Sequence, residues 1–98
     1  MKYILAIVLA ISFNSANANE ALAQKSGCLA CHNVNVKVVG PSYKDVAAKY
    51  RAQAGAEDKL VAKVKAGGSG VWGPIPMPPH PQIKEEDIRT IVKWVLTK

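Results

Sequence analysis

Near the end of the chain apolar residues fall at Ile88, Ile91, Val92, Val95 and Leu96, with Glu85, Glu86 and Asp87 ahead of them and Lys93 and Lys98 towards the end. The i, i+3, i+4, i+7, i+8 spacing lines one face of an α-helix, and acids first with lysines last is the order that a helix dipole favours. Similar reasoning predicts three earlier helices. Glu57 and Asp58 start one that turns Leu60, Val61 and Val64 inward, and Gly67-Gly68 stops it. Ser42, with Asp45 three residues on, resembles a capping box and opens another, whose stripe is Val46, Ala47 and Tyr50 and which Gly55 ends or interrupts. A short first helix is predicted from Glu20 to Ser26, after which Gly27 lets the chain turn, and residues 33–40 read as loop. Little of the chain alternates as a half-buried strand does, so the pattern predicts an all-α fold of about four helices.

The first eighteen residues follow a different logic. Lys2 is a minimal positive region, Ile4 to Phe13 is apolar, and Ala16-Asn17-Ala18 supplies an A-x-A cleavage site. A spanning helix needs about 20 apolar residues, and this stretch is too short. Residues 1–18 therefore read as a secretory signal cleaved after Ala18, and residues 19–98 as the mature domain, with no stable membrane insertion after cleavage. Export implies a compartment in which thiols are otherwise oxidised.

Ninety-eight residues allow one small domain, and the 80 that remain once residues 1–18 are removed bury only a modest core, a size that ordinarily needs a staple. The formal charge is +6, from 13 Lys and Arg against 7 Asp and Glu. That balance suits acidic partners. The cations are scattered, with no dense basic run and no recognised nucleic-acid motif, so a nucleic-acid role is excluded.

Chemistry concentrates at Cys28-Leu29-Ala30-Cys31-His32. A thioredoxin-like dithiol belongs beside a βαβ pattern that this chain lacks. Structural zinc needs four Cys or His ligands, and beyond these three residues there is only His80. A disulfide between Cys28 and Cys31 would close too short a loop to restrain much of the unfolded chain. Covalent haem accounts for all three side chains: the thiols add to its vinyl groups and His32 becomes an axial ligand of the iron, the reading of C-x-x-C-H. Once the signal is removed, Met77 is the one remaining methionine. It stands in a Gly- and Pro-rich stretch, residues 67–81, where Pro76, Pro78 and Pro79 fix the backbone and forbid a helix. Met77 is thus the expected second axial ligand. His/Met ligation raises the reduction potential and leaves no open coordination site, which implies an electron carrier and not an enzyme. His80 is the rival ligand and is expected to be exposed and unligated.

Three blocks make the reading more specific: the Cys28–His32 pentad, Val39-Gly40-Pro41-Ser42-Tyr43-Lys44-Asp45-Val46-Ala47, and Gly70-Val71-Trp72-Gly73-Pro74-Ile75-Pro76-Met77-Pro78-Pro79. Together they resemble the small bacterial class I cytochromes c that deliver electrons to nitrite reductase or terminal oxidases. The resemblance implies a class I cytochrome c fold around one covalently attached haem c. It also implies that the Pro41 carbonyl orients His32, that Trp72 donates its indole N–H to a haem propionate, and that Lys63 stands where relatives place an Arg. Some relatives carry Asn at the position of His80, able to hydrogen-bond the methionine sulfur. The exposed haem edge would be ringed by Leu29, Ala30, Val38, Pro74, Ile75, Pro76 and Pro78. The implied role is a monomeric periplasmic one-electron carrier. Its donor would be a membrane complex such as a cytochrome bc complex, and its acceptor a nitrite reductase, terminal oxidase or peroxidase. The competing roles are a haem sensor or weak peroxidase in which Met77 leaves the iron, and an electron-input domain docked to a larger enzyme.

Overall fold

The computed structural model describes residues 15–98, which form helices α1 (Ser15–Lys25), α2 (Tyr43–Tyr50), α3 (Ala56–Ala66) and α4 (Glu85–Val95), with a 3₁₀ turn at Cys28–Ala30. No strand occurs among the described residues; two isolated antiparallel bridges, His32 with Lys37 and Gly68 with Met77, close loops instead.

Packing converges on α4, which lies against each of the other three helices. Its apolar stripe buries Ile88, Ile91, Val92 and Val95 as the spacing predicts, while Leu96 is only partly covered. Ile88 is 1% exposed, and burying such a side chain contributes about 1.5–3 kcal/mol. Trp94 is buried as well, outside the predicted stripe. It sits three residues beyond Ile91 and fills the space against α2.

Helix α2 opens as expected: the Ser42 hydroxyl accepts the Asp45 N–H at 3.1 Å, and Ser42 is itself buried. Its end departs from expectation. The helix closes at Tyr50, where the Gln53 side-chain amide donates to the Lys49 carbonyl at 3.0 Å, so no glycine is needed there. Gly55 instead stands at the start of α3. Arg89 of α4 donates from Nη1 to Glu57 Oε1 at 3.0 Å and Asp58 Oδ1 at 2.6 Å, and Lys65–Glu85 and Lys93–Glu57 pairs flank it at 3.6 and 3.8 Å. These exposed pairs add little stability but hold the register of α3 on α4.

Helix α1 begins at Ser15 and ends at Lys25, so the predicted limits of Glu20 and Ser26 are corrected at both ends. No Gly or Pro lies between Ser15 and Lys25 to stop the helix earlier. The first fourteen residues of the predicted signal lie outside the described residues, and the predicted cut after Ala18 falls within α1. No described helix is long and apolar enough to cross a membrane.

Candidate haem site

The Cys28–His32 pentad folds as one tight turn: the backbone N–H groups of Cys31 and His32 both donate to the Cys28 carbonyl, at 3.2 and 3.0 Å. The following loop returns on itself, with the N–H groups of Val39 and Gly40 donating to the Cys31 carbonyl at 3.2 and 2.8 Å. That return brings Pro41 beside the imidazole. His32 Nδ1–H donates to the Pro41 carbonyl at 2.8 Å, which fixes the ring and leaves Nε2 as the nitrogen able to ligate a metal. Gly40 is what permits the approach. A Cβ there would lie 2.5 Å from His32 Cε1 and 2.8 Å from Nδ1, so only glycine lets the backbone cross the ring.

Tyr43 is a part of the site that the motif reading did not name. Its ring stacks on His32 with centroids 5.1 Å apart and planes 21° from parallel, and Trp94 meets Tyr43 edge-on at 5.6 Å. Tyr43 precedes Val46 by three residues and Ala47 by four, so the helical stripe of α2 carries the signal for it. Burial pushes the Cys28 thiol up from its usual range, and a hydrogen bond with Tyr43 offsets part of that. Tyr43 is pushed up too, by burial first and by Cys28 second. Both groups are held neutral.

The Met77 loop, which also lines the cavity, is pinned to the end of α3. Gly68 N–H donates to the Met77 carbonyl at 3.0 Å and Met77 N–H to the Gly68 carbonyl at 2.8 Å. Gly67 makes room for this pairing: its φ is +71°, and a Cβ would lie 2.5 Å from the Met77 carbonyl oxygen. Met77 is half-buried and lines the cavity, as do Trp72 and Lys63; a Cβ on Gly68 would lie 2.6 Å from the Lys63 ammonium.

His80 is not the exposed residue that the loop composition suggests. Its backbone N–H donates to the Val64 and Lys65 carbonyls at 3.2 and 3.3 Å, its side chain is half-buried on the cavity wall, and its Nδ1 is shut off from solvent with no partner among the described residues. The end of α3 draws it inward, a long-range constraint that local composition does not encode.

The six predicted site residues, Cys28, Cys31, His32, Pro41, Trp72 and Met77, all line a single cavity of about 290 Å³. Its floor is the helical core, including Leu60, Ile88, Val92 and Val95. Among the described residues no three His, Cys, Asp or Glu side chains cluster to hold a metal ion, which argues against the zinc reading. The donor set fits haem c instead: two thiols, an imidazole with its outer nitrogen already oriented, and a thioether line one largely apolar cavity. Of the expected rim, Pro74, Ile75, Pro76 and Pro78 line the cavity and are exposed, Ile75 at 61%, as is Val39, whereas Ala30 and Val38 are exposed without lining it. Leu29 is half-buried and packs against the core.

A family model described as cytochrome c matches residues 16–98. The chain is 58% identical over 82 residues to cytochrome c-551 of Allochromatium vinosum, covering 84% of this chain and 87% of that protein. With cytochrome c-551 of Pseudomonas aeruginosa it shares 52% identity over 79 residues, 81% of this chain and 75% of that one. The crystal structure of wild-type Nitrosomonas europaea cytochrome c552 superposes with a TM-score of 0.78 at 49% identity, covering 80% of this chain and 96% of that one.

Proposed function

The chain belongs to the cytochrome c family and carries covalently attached haem c, and from that premise we propose that it is a periplasmic one-electron shuttle with His32 and Met77 as its axial ligands. The observation that carries this reading is the convergence of both thiols, the oriented His32 imidazole and the Met77 thioether on one apolar cavity. Bound haem c supplies the one-electron valence change of its iron. The chain's own residues do the rest. Cys28 and Cys31 tether the cofactor through thioethers, and Pro41 holds the His32 tautomer by accepting Nδ1–H. The bridge from Gly68 holds Met77 in place, with little left to reorganise between oxidation states. Trp72, at the cavity wall, would donate its indole N–H to a propionate of the bound group, and Lys63 lines the same cavity. The apolar core excludes water, and the two ligands together leave no site for substrate.

We take residues 1–18 as a signal removed after Ala18, which places the mature domain in the periplasm. There it runs as a monomer between a membrane donor, such as a cytochrome bc complex, and a nitrite reductase, terminal oxidase or peroxidase. The enclosed, unpaired Nδ1 of His80 on the same wall supports one second reading, in which His80 and not Met77 ligates the iron. Voltammetry of two holoprotein variants separates them. With Met77 as ligand, M77A loses the sulfur-to-iron band and its reversible potential falls by a sizeable part of the roughly 0.8 V that axial ligands span, while H80A keeps the band. The opposite pattern would reassign the ligand to His80.

A further inference from the structure

The His32 imidazole is not fixed by its hydrogen bond alone. The bond from Nδ1 to the Pro41 carbonyl, 2.8 Å long, pins one atom of the ring, and a ring pinned there and at Cβ can still tip about the line that joins the two points. Removing that freedom takes contact with a face. Tyr43 supplies it, stacked on His32 with centroids 5.1 Å apart and planes 21° from parallel. Tyr43 is itself placed by the same loop. Its backbone N–H donates to the Asn33 carbonyl at 2.9 Å and that of Lys44 to the Val34 carbonyl at 3.0 Å, so the first turn of α2 is tied to the residues that follow His32. Tyr43 in turn meets Trp94 of α4. The two rings stand at 79° with centroids 5.6 Å apart, within the edge-to-face range, and Tyr43 and Trp94 are only 5% and 3% exposed.

Two observations set Trp94 apart from the rest of the apolar packing on α4. It does not line the cavity, whereas Tyr43 and His32 both do, so its route to the imidazole is Tyr43. Its indole N–H is shut off from solvent with no partner among the described residues. That is a cost an aliphatic residue would not carry, and it leaves the extent and edge of the ring as what Trp94 contributes. A closely packed interior passes a displacement on instead of absorbing it, so the three rings form one line of contact from α4 to the imidazole. We infer that Trp94 is a positioning residue for the haem: through Tyr43 it holds the plane of the His32 ring, so that the packing of the last helix sets the orientation of an axial ligand. This rests on the reading of His32 as ligand and names what keeps that ligand still while the iron changes valence. Contacts that support a ligand from outside also tune the metal it holds.

The test follows the His32 Nδ1 proton by nuclear magnetic resonance in nitrogen-15-labelled ferrous holoprotein, where its exchange with solvent reports how firmly the ring is held against Pro41. The g values of the ferric protein, which depend on the plane of an axial imidazole, give a second readout. Y43L and W94L are expected to speed the exchange about tenfold, the scale of one lost aromatic pair, and to shift the g values. Y43F, which keeps the stacked ring, should resemble wild type in both, and W94F, which keeps a smaller edge, should fall between wild type and W94L. The control is V61A: Val61 is 2% exposed and does not line the cavity, so this variant should lower the denaturation midpoint and leave both readouts in place. In Y43L/W94F the second substitution should add nothing to the first, because Trp94 acts through Tyr43. Unchanged exchange and g values in W94L and W94F would overturn the inference, as would a W94F effect that persists in full on top of Y43L. V61A matching W94L would overturn it too, by reducing the effect to a general loosening of the fold. The ligand reading fails separately, if the His32 ring protons of the ferrous wild type lack the large ring-current shift of an imidazole seated over a haem.

Discussion

A methyl group on Gly40 would enter the His32 ring from the side on which Nδ1 meets the Pro41 carbonyl, 2.5 Å from Cε1. The neighbour is a ring held by a hydrogen bond and by stacking on Tyr43, so it has little room to yield. G40A is therefore expected to destabilise the holoprotein by about 1–3 kcal/mol, the range for overpacking, and to perturb the ligand spectrum. Guanidinium denaturation with parallel absorption measures both, and an unchanged midpoint would show that the ring can shift. The C-x-x-C-H spacing and the lone mature Met77 point to four side chains, Cys28, Cys31, His32 and Met77, which the structure brings to one cavity. Gly40 was visible only as part of a block of resemblance, since its role appears when another residue's ring is placed beside it. His80 departs from the expected exposure for a related reason: its backbone is held by bonds to Val64 and Lys65 at the end of α3, some fifteen residues earlier in the chain, which local composition does not reveal.

Two kinds of force hold the helices, and they differ in size. The α3–α4 seam carries the Arg89 cluster on its exposed side, whereas Ile88 sits one residue earlier in the core. I88A should cost about 2–5 kcal/mol through lost transfer energy and a residual cavity. R89A should lower the denaturation midpoint less than I88A does. A larger loss from R89A would mean that the ion cluster and not the apolar face sets the helix pairing. Element boundaries were legible where a cap marks them, as at Ser42 for α2 and Gly67 for α3. They were not legible at the start of α1, where nothing in Ser15–Asn19 breaks a helix, nor at the end of α2, where Gln53 does the work expected of Gly55. Trp94 escaped the apolar stripe of α4 because a bulky ring covers a wider arc than the aliphatic spacing assumes.

At the scale of the whole molecule, the cavity and the core share residues. Ile88, Ile91, Val92 and Val95 belong to both, so the contacts that would hold the haem and those that pack the helices depend on the same side chains. A ligand that binds only the folded state stabilises it by mass action, and a tethered one does so at high effective concentration. The haem-free C28A/C31A chain is expected to show much reduced helical circular dichroism and no cooperative melt, and a sharp native-like melt would show that the polypeptide folds alone. The all-α class was readable from periodicity, but the common wall of cavity and core was not, because it is made by residues from four separate segments. The central claim, that Cys28 and Cys31 tether a haem ligated by His32 and Met77, is tested most directly by the absorption spectrum of the purified holoprotein before and after acid–acetone extraction. The account predicts haem retained on the chain and, in the ferric protein at neutral pH, the weak long-wavelength band of sulfur ligation. Extraction of the haem would contradict the thioether attachment, and retention without that band would contradict Met77 as the ligand.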